Sequence, residues 1–202
     1  MSSRTEQFPA GTLLEAVSTR ADLSAAFRAA VVLFVTVLTV AAAQVSVPLP
    51  FTPVPFTLQP MIVLLGGAAL GSRLGMTSQV LYLVLGAAGL GVFAASPVLP
   101  QGFARLLGPT GGYLMSYPIA AFVTGYLAER GFDRHYLPSV LAMGAGLAII
   151  FTCGAAWMAF GAPHVGLLAA VRTGLIPFIP ADIVKIFVAA TVLPAVWKFL
   201  RL

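Results

Sequence analysis

Two ionisable residues, Asp182 and Lys185, lie inside an apolar run near the end of the chain, residues 177–199. Moving a charged side chain into the hydrocarbon of a bilayer costs roughly 2.5–3.5 kcal/mol on insertion scales. Positions three apart lie on one face of a helix, so the two side chains can converge on a ligand or on each other. The pair therefore predicts a binding site for a polar ligand.

A purely structural role for the pair is also open. Pro177 and Pro180 are typical of a helix start, and Asp182 would then fall in the first turn, where the helix dipole favours a negative charge. Lys185 would simply neutralise the carboxylate. The pair alone does not decide the function.

The composition predicts an integral membrane protein. Of the 202 residues, 59% are hydrophobic and 8% are charged, whereas soluble domains carry about 25% charged residues. Backbone groups in lipid must be paired internally, which leaves a helix bundle or a closed barrel. Long runs of Ala, Leu, Val and Gly without alternation favour an all-α fold. The net charge of +5 is interpreted as basic cytoplasmic loops, and no nucleic-acid partner is expected.

Six apolar spans can be placed along the chain, which suits a six-helix bundle in a hydrocarbon layer of about 30 Å. We expect them at about residues 25–47, 58–71, 76–94, 108–128, 137–160 and 177–199. Residues 1–24 form a polar N-terminal segment that is expected in the cytoplasm. Residues 25–202 are expected to form a single membrane domain.

The segments between the spans are short. Residues 47–57 contain four prolines and no charge, which predicts a rigid extended loop. A tight turn is expected at 71–75, and loops are expected at 96–108 and 161–176. None of them is long enough to hold a second folded unit.

The positions of lysine and arginine predict that both termini are cytoplasmic. With that orientation, only Arg105 and Arg172 lie in outer loops. Eight basic residues lie in cytoplasmic segments: Arg4, Arg20, Arg28, Arg73, Arg130, Arg134, Lys198 and Arg201. The proline-rich loop and the start of the last span are therefore expected to face outward.

Several polar residues are expected at the same outer end as Asp182. Gln59 begins the second span, Thr110 and Tyr113 begin the fourth, and Arg105 lies in the preceding loop. Together with the charged pair they would suit a small molecule that carries both an acid and an amide or urea-like group. Helix caps and contacts between helices use the same residue types, so a structural role stays open for each.

The sequence lacks the motifs of several enzyme classes. The segment GPTGGY at 108–113 has no lysine followed by Ser or Thr, so it is not a phosphate-binding loop. No G-x-S-x-G motif is present. His135 and His164 are expected in loops on opposite faces, and Cys153 lies in an apolar span. We therefore expect neither an enzyme nor a bound metal or cofactor.

Small residues repeat every four positions at the start of the first span. Ala25 and Ala29 share one helix face, and so do Ala26 and Ala30. Such faces allow close helix contact in lipid. Packing within the chain and contact with a partner protein both explain the pattern.

Three strings resemble the BioY family, the biotin-specific substrate-binding (S) components of energy-coupling-factor (ECF) importers. They are PFTPVPFTLQ at 50–59, LLGPTGGYL at 106–114 and Asp182-x-x-Lys185. The likeness runs from about residue 25 to the end of the chain. It implies a high-affinity biotin-binding protein of the bacterial cytoplasmic (inner) membrane, with its site near the outer face under the first outer loop. It also implies a transmembrane coupling (T) component and cytosolic ATPases as partners.

The resemblance also implies roles for individual residues. Asp182 would accept hydrogen bonds from the ureido N–H groups of biotin, and Lys185 or Arg105 would meet the ureido oxygen or the valerate carboxylate. Further lining positions would be Gln59, Tyr82 and Tyr113, and the surface for the coupling component would be Ala25, Ala26, Ala29 and Ala30. A secondary transporter of biotin or another small vitamin, working without partners, is the alternative.

Overall fold

The computed structural model of the protein describes residues 11–13, 25–96, 99–161 and 163–200. The chain is mostly helical, as expected. Within the described ranges, its α-helices are α1 (Ala25–Gln44), α2 (Gln59–Leu70), α3 (Ser72–Ala87), α4 (Phe103–Leu107), α5 (Gly111–Ala128), α6 (Tyr136–Phe160), α7 (Leu167–Ala170) and α8 (Ile179–Leu200). Two short strands, β1 (Ser46–Val47) and β2 (Phe56–Thr57), pair antiparallel at the base of the proline-rich loop.

Each predicted apolar span overlaps one of the longer helices α1, α2, α3, α5, α6 and α8. Three helices within the described ranges are long and apolar enough to cross a membrane, namely Ala25–Gln44, Tyr136–Phe160 and Ile179–Phe199. Gln59–Leu70 is a shorter apolar helix. The number of six spans and the cytoplasmic termini stay predictions, and most of the N-terminal segment 1–24 lies outside the described residues.

The predicted turn at 71–75 is wrong, because α3 begins at Ser72. Gly71 alone makes the turn, with a φ of 85° that favours glycine. Glu129 Oε1 then accepts hydrogen bonds from Ser72 N at 2.7 Å and Ser72 Oγ at 2.8 Å. This carboxylate stabilises the first turn of α3, where backbone N–H groups have no partner within the helix.

The predicted loop at 161–176 is also wrong in its second half. Residues Leu167–Ala170 form α7, and Val171–Leu175 continue as a π-helix. The wider turn is visible in the bond from Ile176 N to Val171 O, 3.0 Å, which spans five residues. A short helix, α4, likewise forms within the expected loop at 96–108.

Glycines bring α2, α3 and α5 into backbone contact. A Cβ on Gly67 would lie 2.5 Å from the backbone oxygen of Ala121, and one on Gly75 would lie 2.7 Å from the Cα of Gly67. Both distances are too short for any side chain, so glycine is required at these crossings. Around them α6 and α8 complete an apolar core that includes Val63, Leu64, Tyr117, Ile150 and Ala190.

The end of the bundle farthest from Asp182 is closed by polar contacts. Trp197 Nε1, near the end of α8, donates to Asp133 Oδ2 at 2.7 Å, and the Arg134 guanidinium lies 4.9 Å from the centre of the Trp197 ring. Asp133 is only 1% exposed. Burial raises the pKa of Asp133 above its usual value, and this effect outweighs the opposing hydrogen bond from Trp197.

Candidate binding site

A pocket lies among the proline-rich loop, α2, α5, α6 and α8. Its cavity volume is about 50 Å³, below the range of about 300–1,000 Å³ typical of small-molecule sites. Aromatic rings of Tyr113, Tyr117, Phe151 and Phe178 form much of its apolar wall. Its polar lining residues are Thr57, Gln59, Arg105, Thr110, Asp182 and Lys185.

Asp182 and Lys185 lie side by side in this wall. Asp182 is in the first turn of α8, and Lys185 Nζ is 2.6 Å from Asp182 Oδ1. The two residues are 3% and 9% exposed. Within the described part of the chain, the other carboxylate oxygen, Asp182 Oδ2, has no hydrogen-bond partner. The pair thus neutralises itself and still leaves an acceptor for a ligand.

Lys185 also connects α8 to the proline-rich loop. Its ammonium donates to the carbonyl oxygen of Thr57 at 2.6 Å and lies 3.6 Å from the centre of the Phe56 ring. A cation this close to an aromatic face is attracted by the ring, most strongly when water is excluded. The ammonium therefore holds the loop and the acid together.

Arg105 provides a second cation in the pocket wall. It is 1% exposed, and its guanidinium donates to Ala94 O at 2.5 Å and Pro100 O at 3.3 Å. Burial lowers the pKa of Arg105 because the charged form loses its hydration. Among the described residues no carboxylate pairs with it, and its Nε has no hydrogen-bond partner. A buried guanidinium without an acid is a strong site for an anion.

Thr110 stands in the same wall with an open hydroxyl. Thr110 Oγ1 is buried and has no partner among the described residues. Thr110 precedes α5 but makes no side-chain capping bond to it. The hydroxyl is therefore free to donate to a ligand, as Arg105 Nε is.

Gln59 and Tyr82 have different positions relative to the pocket. Gln59, at the start of α2, lines the pocket, whereas Tyr82 is fully buried and lies behind it. Gln59 Nε2 donates to the Tyr82 hydroxyl at 2.6 Å. The structure thus brings Gln59 to the pocket surface and places Tyr82 in contact with Gln59.

Tyr113 lines the pocket with its ring only. Its hydroxyl donates to the carbonyl oxygen of Gly174 in the π-helix at 2.6 Å. This bond fixes the segment that precedes α8. The ring of Tyr113 is therefore the part available to a ligand.

The alanines at the start of α1 are all exposed. Ala25, Ala26, Ala29 and Ala30 have no tight contact with the bundle, although buried positions begin at Val32. Packing against the described residues therefore does not account for them. Within the described ranges, no cluster of three His, Cys, Asp or Glu side chains could hold a metal ion.

Sequence analysis missed the apolar wall of the pocket. Tyr117, Phe151 and Phe178 lie on α5, on α6 and just before α8, and each contributes a ring. Apolar residues inside a span look alike in sequence, because lipid, core and ligand all favour them. Only Phe178 had a usable signal, since it lies between the two prolines that precede the charged pair.

Both the sequence and the fold of the chain are similar to those of known proteins. A sequence profile of the BioY family matches residues 15–202. The chain belongs to the BioY family. A relative named "Probable biotin transporter BioY" from Pyrococcus horikoshii is 43% identical over 158 residues, covering 77% of this chain and 86% of that protein. The "Biotin transporter BioY" of Thermotoga maritima is 40% identical over 161 residues, covering 78% of this chain and 88% of that protein.

The fold agrees with a solved BioY-type structure. The crystal structure of the S-component for biotin from an ECF-type ABC transporter matches with a TM-score of 0.76 and 25% sequence identity. The match covers 85% of this chain and 90% of that one. The resemblance drawn from the three sequence strings is confirmed, and the chain is a membrane protein of a transporter family.

Proposed function

We propose that this protein binds biotin in the pocket and takes it up across the membrane as the S component of an ECF-type importer. Membership of the BioY family supports the substrate, because relatives of similar length are named biotin transporters. The observation that carries the proposal is the buried pair Asp182 and Lys185, which lines a pocket and leaves one carboxylate oxygen open. A urea group, with N–H donors and a carbonyl acceptor, suits such a pair.

The open hydrogen-bonding groups support an orientation for the ligand. Asp182 would accept from the ureido N–H groups, and Lys185, which is already in contact with that carboxylate, would donate its remaining proton to the ureido oxygen. Arg105 and Thr110 would donate to the valerate carboxylate, because Arg105 has no acid of its own among the described residues. The aromatic wall would enclose the apolar ring system between the two ends.

Uptake against a gradient requires an energy source, and no nucleotide-binding loop is present in the sequence. We infer a transmembrane coupling component and cytosolic ATPases as partners. The exposed alanines Ala25, Ala26, Ala29 and Ala30 offer a close-packing surface for the coupling component. The proposal includes six spans in a bacterial cytoplasmic membrane, with both termini in the cytoplasm.

A binding panel tests the substrate. The detergent-purified protein is titrated calorimetrically with biotin, desthiobiotin, thiamine and riboflavin. We expect saturable binding of biotin, weaker binding of desthiobiotin, which keeps the urea and the acid, and no binding of the other two vitamins. Absence of biotin binding by a folded, monodisperse sample would contradict the proposal.

A transport assay tests the partners. Liposomes that contain this protein alone are compared with liposomes that also contain a coupling component and its ATPases with ATP inside. We expect accumulation of labelled biotin only in the second set. Ion-gradient-driven uptake by the first set would replace the S-component role with that of a secondary transporter.

A further inference from the structure

The side-chain amide of Gln59 is held between two hydroxyl groups. Gln59 Nε2 lies 2.6 Å from the Tyr82 hydroxyl, and Gln59 Oε1 lies 3.3 Å from Thr57 Oγ1. The Tyr82 hydroxyl is also 3.2 Å from the carbonyl oxygen of Val92. Thr57 Oγ1 accepts from the Gln59 backbone N–H at 3.3 Å.

Counting protons shows which way the amide must point. A hydroxyl has one proton, and the Val92 carbonyl can only accept, so Tyr82 donates to Val92 and must accept from Gln59. Thr57 already accepts from the Gln59 backbone, so its proton goes to the Gln59 side-chain oxygen. If the amide were reversed, Val92 O would lose its donor and the Thr57 proton would lose its acceptor. Polar groups without partners cost free energy, which favours the first arrangement.

The same network determines which atom of the Gln59 amide faces the pocket. Thr57 lines the pocket, whereas Tyr82 does not. The amide nitrogen is therefore turned away from the pocket, toward Tyr82, and the amide oxygen lies on the pocket side, beside Thr57. An amide oxygen has two acceptor positions, and the Thr57 hydroxyl occupies one of them.

Tyr82 is itself held rigidly. Its ring is fully buried, in edge contact with Phe93 at a centroid distance of 5.5 Å and stacked near Tyr117 at 6.5 Å. A Cβ on Gly86, one turn along α3, would collide with the Phe93 ring. The phenol oxygen therefore has a fixed position against which the Gln59 amide is oriented.

We propose that Tyr82 is a positioning residue for ligand selectivity, which holds the oxygen of Gln59 toward the pocket so that the site favours a ligand N–H over a group without one. The inference rests on the proposed function, because it takes biotin as the ligand and a ureido N–H as the group that faces Gln59. With Asp182, Gln59 then forms an acceptor end of the pocket. Tyr82 does this without contact with the ligand.

The test measures selectivity as well as affinity. Biotin is compared with biotin methylated on one ureido nitrogen, each isomer in turn, by calorimetric titration of the purified protein. Tyr82→Phe removes only the hydroxyl and frees the amide to turn. We expect Tyr82→Phe to bind biotin about ten-fold more weakly and to bind the methylated isomer that the wild-type protein rejects with little change. The selectivity ratio, which is the affinity for biotin divided by the affinity for that isomer, should therefore fall by about ten-fold.

A second variant and a double mutant separate positioning from packing. Gln59→Met should lower the same ratio without altering Tyr82, and Tyr82→Phe should then have no further effect in the Gln59→Met background. The control is Tyr126→Phe, an exposed tyrosine of α5, which should leave both affinities unchanged. Should Tyr82→Phe fail to fold, Gln59→Met still decides, since an unchanged ratio there overturns the inference.

The remaining outcomes are also decisive. Equal loss of affinity for biotin and its methylated forms in Tyr82→Phe would indicate a structural role only and would overturn the inference. Additive effects in the double mutant would do the same. If the wild-type protein does not bind biotin at all, the proposed function fails; if it binds and Tyr82→Phe leaves the ratio unchanged, only this inference fails.

Discussion

Asp182 and Asp133 are buried carboxylates near opposite ends of α8, and they differ in what surrounds them. Asp182 pairs with Lys185 and lines a pocket with an open oxygen. Asp133 Oδ2 accepts a hydrogen bond from Trp197, Asp133 Oδ1 has no partner among the described residues, and Asp133 does not line that pocket. The fifteen residues from position 182 to position 197 correspond to about 22 Å of helix. A buried acid with an unpaired oxygen therefore does not define a binding site by itself, and the adjoining pocket is what distinguishes Asp182.

The largest expected effect comes from Asp182→Asn. The change removes the charge beside Lys185 and the proposed acceptor for the ureido N–H groups, and breaking a buried pair costs about 3–5 kcal/mol. We expect biotin affinity to fall by about a hundred-fold or more, measured by calorimetry on purified protein. Asp133→Asn is the matched control, and its affinity should stay within about two-fold of the wild type. Similar losses in both variants would remove the distinction between the two acids.

Arg105→Met should have the next largest effect. It removes the buried cation that has no acid partner among the described residues, so we expect about ten- to thirty-fold weaker binding of biotin. Biotin methyl ester lacks the anion, and its affinity should change little. Arg172→Met, an exposed arginine of the π-helix, serves as the control. An equal loss for biotin and its ester would place the carboxylate elsewhere.

Trp197→Phe should lower stability at the Asp133 end of α8. It removes the donor to Asp133 Oδ2 and leaves that buried oxygen unpaired, which costs about 1–3 kcal/mol of unfolding free energy. We expect a thermal midpoint lower by several degrees in detergent. Biotin affinity of the folded fraction should be unchanged, and a drop in affinity would mean that the two ends of α8 are coupled.

The smallest expected effect is a pH dependence due to Asp133. Its pKa is raised in the folded protein because burial disfavours the charge, so the folded state binds the proton more tightly than the unfolded state. Stability from this group is present at acidic pH and is lost as pH rises through the folded pKa. Asp133→Asn cannot lose a proton, so the variant should gain stability relative to the wild type between pH 4 and pH 7.

Thermal midpoints of the wild type and Asp133→Asn across that pH range provide the measurement. We expect a relative gain of about 1 kcal/mol, or about 2–4 °C. A constant difference between the two proteins at all pH values would show that Asp133 keeps an ordinary pKa. The corresponding pH series on Asp182→Asn would also lose the contact with Lys185, so Asp133 is the cleaner probe.

The charged pair and the helical fold could be predicted because both rest on local composition. An acid three residues from a lysine in an apolar run is visible in the sequence, and so are the long apolar helices around it. The start of α3 could not be predicted, since it depends on Glu129, which is 57 positions away. The burial of Asp133 was hidden for the same reason, because its partner Trp197 is 64 positions along the chain.

The polar residues of the site also depend on contacts between distant parts of the chain, which the sequence does not reveal. Gln59 and Arg105 were expected at the pocket end because each lies next to a span boundary. That Tyr82 lies behind Gln59 depends on how α2 and α3 cross, and that crossing depends on backbone contact between glycines. Sequence alone names residues that can reach one end of a bundle, but it does not distinguish those on the pocket surface from those that support it.

The ammonium of Lys185 has a consequence for how long a captured molecule stays. It contacts the Asp182 carboxylate, the Thr57 carbonyl and the Phe56 ring at once, so none of the three can move away without exposing a buried charge. We expect escape of a ligand past the proline-rich loop to disturb these contacts. Residence time of the ligand should therefore be more sensitive to substitution of Lys185 than the rate of capture is.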